Sequence, residues 1–178
     1  MRAPNAATSI THTNVRLLIP MPGSFDEAMS NYETLLPALD SDRVGDLVRR
    51  RAPWDEVVEQ FRENAPHGFV IFWRFEITPL MSLAGDEWPC VMYLMGNHTV
   101  AQRMFHHDPA VMLSAPLRTV LCADASGVVT LHVDQPSSRF GSYGNPEIAA
   151  VGRELDGMLA DLLDALGAPV PSELRAQP

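Results

Sequence analysis

Two strand-like runs, residues 117–123 and 128–134, flank Asp124-Ala125-Ser126-Gly127, and no other stretch constrains the fold as much. An aspartate opening a short loop that ends in glycine reads as a β-hairpin, with a type I turn followed by a glycine bulge at Gly127. Asp124 and Val128 are then the closing pair. Counting back by twos places Cys122 opposite Thr130, Val120 opposite His132, and Arg118 opposite Asp134. Side chains alternate across a pleated strand. Thr119, Leu121, Val129, Leu131 and Val133 therefore form an apolar face suited to burial under helices. Arg118, His132 and Asp134 share the opposite, more polar face.

The rest of the chain supplies the helices. Residues 12–19 read as a first strand, stopped by Pro20-Met21-Pro22-Gly23. Ser24 and Glu27 form a capping box, and Phe25, Ala28, Met29, Tyr32, Leu35 and Leu36 follow at helical spacing until Pro37. Short helices are predicted over 42–50 and from Pro53, the latter with Trp54, Val57, Val58 and Phe61 as its buried stripe. Residues 69–77 and 90–95 read as strands joined by a loop over 78–89. A short helix over 99–107 ends at Asp108-Pro109. Asn145-Pro146 opens the last helix, whose apolar face runs from Ile148 to Leu166 before Gly167. Residues 141–144 read as a flexible lead into it. Short links between successive strands predict an α+β domain: one antiparallel-rich sheet with helices on one face. Parallel pairing stays open across the first long connection. The domain spans 12–167, with a flexible N-terminus over 1–11 and a loose tail over 168–178.

Composition excludes several function classes. The 178 residues carry 22 acidic and 13 basic side chains, a formal net charge of −9, which argues against nucleic acid or an anionic membrane surface. Every basic residue is arginine. Without lysine there is no Schiff base, no pyridoxal phosphate attachment and no Walker A loop. No run approaches the ~18 apolar residues of a membrane span. Met1-Arg2-Ala3-Pro4-Asn5 opens no signal peptide, so a cytoplasmic location is expected. Cys90 and Cys122 are too few for a disulfide framework and read as reduced, small, buried side chains in strands.

Two constellations carry chemistry. On the hairpin, Arg118 and Asp134 either form an ion pair beside His132, or Arg118 provides a carboxylate site with His132 as a proton-transfer group. The second constellation spans 96–108, where His98, His106, His107 and Asp108 fall beside Met95 and Met104. His98 and His106 are eight positions apart, more than ~10 Å along a helix, which disfavours joint chelation. No metal site or cofactor is assigned, although haem ligation by one of these histidines with a methionine stays open. On the long strand, Trp73 and Arg74 stand out, because Arg74 interrupts an apolar run and its head needs an acid or a cavity.

Gly96-Asn97, Met104, Asp108-Pro109 and Pro116-Leu117-Arg118, with the hairpin through Asp134, resemble the domain-of-unknown-function family 302. The resemblance covers about residues 66–136. It implies a small fold of the TATA-box-binding-protein type, often a homodimer, with no established activity. This chain differs from the family pattern: His98 stands where members have proline, Ala115 replaces a leucine, and Phe75-Glu76-Ile77-Thr78 stands in place of an Asp-His pair. Residues 40–53 read as an insertion.

These readings converge on a homodimeric small-molecule-binding protein, or an acid/base enzyme acting on a carboxylate- or carbonyl-containing substrate. His98, His132 and Asp134 are the catalytic candidates. Asn97, Met104, Arg118, Trp73 and Arg74 are the ligand-binding ones. The alternatives are an assembly or regulatory subunit that uses the open sheet face as an interface, and a haem or metal protein.

Overall fold

The hairpin turn shows why the chain adopts its register. The Asp124 carboxylate accepts hydrogen bonds from the backbone N–H of Ser126 (2.8 Å) and Val128 (3.0 Å). Gly127 has φ 83°, a left-handed conformation that suits glycine. Cys122 then faces Thr130 and Val120 faces His132, the spacing read from the turn. The computed structural model of the chain describes residues 7–175.

Among these, the strands are β1 (Arg16–Pro20), β2 (Val70–Glu76), β3 (Cys90–Gly96), β4 (Leu117–Ala123) and β5 (Val129–Asp134). They form one antiparallel sheet of order β1-β5-β4-β3-β2. The helices are α1 (Phe25–Leu35), α2 (Ser41–Arg49), α3 (Trp54–Asn64), the single turn α4 (Thr78–Met81), α5 (His98–Phe105), α6 (Pro136–Phe140) and α7 (Pro146–Ala165). The chain is thus α+β with a single sheet. Parallel contact across the first long connection is one isolated bridge: Leu39 N–H donates to Ile71 C=O, and Ile71 N–H to Pro37 C=O.

One face of the sheet holds the core. Val91, Tyr93, Met95, Thr119, Leu121, Leu131 and Val133 are buried, and they join one cluster with α1 and the stripe Ile148, Val151, Leu155, Leu159 and Leu162 of α7. Tyr32 of α1 is fully buried; its hydroxyl lies 2.9 Å from Thr119 Oγ1, so neither buried oxygen is left unpaired. Burial pushes the Tyr32 phenol well above its ordinary pKa, and the Thr119 hydrogen bond opposes this only in part. The capping box at Ser24 and Glu27 starts α1, and Asn145 caps α7.

Five segments differ from the sequence reading, the first being α3, whose expected buried stripe keeps only Phe61 buried while Trp54 and Val58 are exposed to solvent. β1 begins at Arg16, because its partner β5 ends at Asp134. Residues 78–89 contain α4 and a 3-10 turn, held by Thr78 Oγ1, which donates to Trp88 C=O and accepts from Cys90 N–H. The lead before α7 is ordered: α6 is anchored by buried Asp156, whose carboxylate accepts from Ser137 N–H (2.9 Å) and Gln135 Nε2 (3.0 Å). The expected loose tail packs instead, with Ala168 and Leu174 buried. Residues 1–6 and 176–178 of the two predicted termini lie outside the described residues; residues 7–14 form neither helix nor strand.

The α6–α7 contact depends on Gly152. A Cβ there would lie 3.0 Å from Phe140 Cβ and 3.1 Å from Ser137 Cα, with little room to yield. Gly152→Val is therefore expected to lower stability by about 1–3 kcal/mol. Urea denaturation at unchanged m-value checks this.

Candidate functional site

Among the described residues no helix packs on the other side of the sheet, where Leu18, Trp73 and Phe75 remain exposed. Register carries one row of side chains across it, from Trp73 through Leu94 to Arg118, with Asp134 and Arg16 paired beyond. The next row holds Phe75, Met92, Val120, His132 and Leu18. The segment leading into β4, from Met112 to Pro116, borders this face and closes one side of a cleft of about 830 Å³. Arg118, His132 and Asp134 all line it, as do Arg16 and Arg139.

The carboxylate of Asp134 is already occupied. It accepts from Arg16 Nε at 3.1 Å and from Arg139 Nη1 at 2.8 Å. Burial alone would push this carboxyl up, but hydrogen bonds from Asn14, Arg16 and Arg139 hold it below its ordinary value. It therefore orients neither His132 nor Arg118, and the expected Arg118–Asp134 ion pair does not form. The physical reason is competition: two guanidiniums approach from β1 and α6 and take both oxygens. Arg118 is exposed and has no carboxylate within salt-bridge distance among the described residues. Arg139 Nε is buried without a hydrogen-bond partner. The cleft thus brings three guanidiniums and one carboxylate together in a protein of net charge −9.

The remaining predicted residues do not join this cleft. Asn97 Oδ1 accepts from Thr99 N–H and Thr99 Oγ1–H, and its amide donates to Gly68 C=O, so this side chain caps α5. Met104 is buried in the core. The cavity beside Asn97 and Met104 holds about 50 Å³, room for water but not for a substrate. His98 sits at the start of α5, its ring 4.7 Å from Phe72 and 5.2 Å from Phe61, and burial against them lowers its pKa. It faces α3, not Arg118. Arg74 pairs across β2 with Tyr93, on the helix-covered face, and its guanidinium reaches Glu33 (2.7 Å) and Glu76 (3.3 Å). Trp73 lies on the uncovered face, stacked on Phe75 at 5.4 Å. His106 and His107 are exposed neighbours with rings 5.3 Å apart. Among the described residues no three His, Cys, Asp or Glu side chains gather as metal ligands, and no helix is long and apolar enough to cross a membrane. Arg16 and Arg139 escaped the sequence reading, although the alternation Arg16-Leu17-Leu18-Ile19 points Arg16 to the uncovered face.

Asp134→Asn is expected to lower stability by about 1–2 kcal/mol at neutral pH, the smaller end reflecting the exposed Arg16 partner. Because folding depresses this carboxyl, its contribution is complete above the ordinary carboxylate range and disappears as pH falls through the lowered value. The difference between wild type and variant should therefore shrink in acid, which denaturant melts at neutral and acidic pH measure.

Comparison with known proteins gives the same architecture. A crystal structure of an uncharacterized conserved protein DUF302 from Bacillus stearothermophilus is similar, with TM-score 0.61 and 17% identity over 85% of this chain and 97% of that one. At this identity the likeness concerns the fold. No curated protein matches the chain. The sequence family described as "Domain of unknown function DUF302" matches residues 48–166, which include β2 to β5, Arg118, His132 and Asp134. By that match the chain belongs to the DUF302 family.

Proposed function

We propose that the protein binds a small carboxylate, of the 2-oxo acid class, in the cleft on the uncovered sheet face. The observation that carries this reading is the excess of guanidinium over carboxylate there, against the overall negative charge. Asp134 neutralises part of that excess through Arg16 and Arg139. Arg118 keeps its donors for a ligand, and a guanidinium matches a carboxylate with two parallel hydrogen bonds. His132 stands in the adjacent row and can donate to or accept from a neighbouring carbonyl oxygen. That geometry suits proton exchange with a bound oxo acid, with His132 as the acid–base group. The volume falls within the ~300–1,000 Å³ of small-molecule sites.

Calorimetric titration with pyruvate tests this. Pyruvate is expected to bind the wild type, Arg118→Ala to weaken binding about tenfold or more, and His132→Gln to weaken it less. Wild-type protein that ignores pyruvate and other small carboxylates, or an Arg118→Ala variant that binds as well, would overturn the reading.

A second reading is favoured by the apolar part of the same face: two copies of the chain pair through it, with the cleft at their junction. Leu18 is 61% exposed and the stacked pair Trp73 and Phe75 are 46% and 36% exposed, an unusual amount of apolar surface for one sheet face. Sedimentation equilibrium is expected to give a dimer that Trp73→Glu converts to monomer. A wild-type monomer at all concentrations would remove the pairing.

A further inference from the structure

Between α2, α3 and α5 runs a second concavity of about 480 Å³, which shares Met112 with the sheet-face cleft but none of its arginines. Its walls are apolar: Leu47 and Val48 come from α2, Trp54 and Phe61 from α3, and Phe105 from α5. Three of these side chains are far more exposed than a core would leave them, Val48 at 72%, Trp54 at 46% and Phe105 at 49%. Water must wet this surface unless something covers it.

One cation marks the rim. Arg49 and Arg50 are tied to Asp46, and Arg50 also to Glu56, whereas Arg51 has no carboxylate within salt-bridge distance among the described residues. Its backbone is the exception as well. Arg51 has φ 51°, a left-handed conformation where a helix normally ends in glycine. A bulky residue held there is disfavoured by roughly 1 kcal/mol, yet the position carries the guanidinium that lines the groove. The remaining polar groups of the wall are Gln102 and His98, and the His98 imidazole is kept neutral-favouring by its packing on Phe61 and Phe72.

We infer that this groove binds an amphipathic carboxylate, a medium-chain acyl tail lying against Leu47, Trp54 and Phe105 with its head group on Arg51. A purely apolar occupant would leave Arg51 without use, and a cationic one would meet its charge. A small hydrophilic acid would leave the apolar wall wet. The inference does not depend on the sheet-face reading, since the two sites use different arginines.

Decanoate is the probe, titrated by calorimetry into the full chain, with decyltrimethylammonium and acetate as comparisons. Decanoate is expected to bind, with acetate and the cationic amphiphile at least tenfold weaker. Arg51→Gln should weaken decanoate about tenfold, Val48→Asp should abolish its binding, and Arg118→Ala should leave it unchanged. Circular dichroism confirms that each variant is folded; if Val48→Asp is not, Arg51→Gln alone decides. Failure of decanoate to bind, equal binding of the cationic amphiphile, or loss through Arg118→Ala instead of Arg51→Gln each overturns the inference. So does sedimentation showing that Val48→Asp splits a dimer, because a second copy would then be the occupant.

An independent observation concerns the two cysteines. They are direct partners in the β3–β4 register, and the flanking bond from Ala123 N–H to Pro89 C=O makes theirs a non-hydrogen-bonded pair. At such positions the Cα atoms approach to ~4.5 Å, within the ~4.4–6.8 Å that a disulfide spans. Both thiols are free and half-buried on the uncovered face, not deep in the core as small hydrophobes. The geometry points to a reversible Cys90–Cys122 disulfide formed by peroxide. One thiolate attacks a peroxide oxygen, breaking the O–O bond to give a sulfenic acid and hydroxide, which takes up the proton the thiol released and leaves as water; the second thiol then attacks the sulfenic sulfur, its proton leaves with the sulfenic oxygen as a second water, and the S–S bond closes. Burial raises both thiol pKa values, so the reaction is slow at neutral pH and faster in mild alkali.

Intact-mass spectrometry after peroxide treatment reads the result. The wild type should lose two hydrogens as a monomer and regain them with dithiothreitol. Cys90→Ser should gain oxygen instead. Wild-type protein that gains oxygen on both cysteines, stays unmodified, or forms disulfide-linked dimers would overturn the assignment.

Discussion

The sheet has one dry side and one open side, and the position of the cleft follows from that asymmetry. It originates in the β4–β5 hairpin, where the Asp124 carboxylate ties down the turn and Gly127 absorbs the positive φ. That turn sends Thr119, Leu121, Leu131 and Val133 under α1 and α7, and Val120 and His132 outward. A slip of one residue would exchange the two sets and bury a guanidinium and an imidazole under the helices. The covered side reinforces the register, because Thr119 is fully buried and the Tyr32 hydroxyl meets its oxygen. Local turn chemistry and long-range packing therefore select the same alignment.

Electrostatics then gives the open side its character. A surface ion pair contributes little to stability, about 0–1 kcal/mol, so the Arg16–Asp134–Arg139 cluster matters less for holding the fold than for what it leaves unbalanced. Two guanidiniums share one carboxylate, and Arg118 stands beside them with no acid of its own. A local positive field inside an acidic protein attracts small anions and repels the basic surfaces that the rest of the molecule would attract. Another guanidinium without a salt bridge, Arg51, lies on a different concavity and an apolar one. The two proposed sites would differ in the tail they take more than in the head group.

Much of this was legible in the chain, and the reasons are local. Turn residues at 124–127 fixed which hairpin side chains share a face, and Ser24, Glu27, Asn145 and Pro146 marked helix starts, because caps and turns are decided within a few residues. The content of the site was less legible. His98 follows Gly96-Asn97 closely and lies only twenty positions from Arg118, but nothing nearby in sequence tells which side of α5 it takes. Packing on Phe61 and Phe72 decides that, and it turns His98 away from the cleft. Asp134 was expected to serve its hairpin neighbours, but β1 and α6 bring Arg16 and Arg139 to it from 118 and 5 positions away. Arg74 shows the same limit, since its acid partner Glu33 comes from α1, 41 residues earlier.

The most direct test is the arginine side-chain NMR spectrum of the protein titrated with pyruvate. The account predicts that the Nε–Hε signal of Arg118 shifts saturably and further than those of Arg16 and Arg139, while Arg51 stays in place. Uniform small shifts at all arginines, or a larger shift at Arg51 than at Arg118, would contradict it.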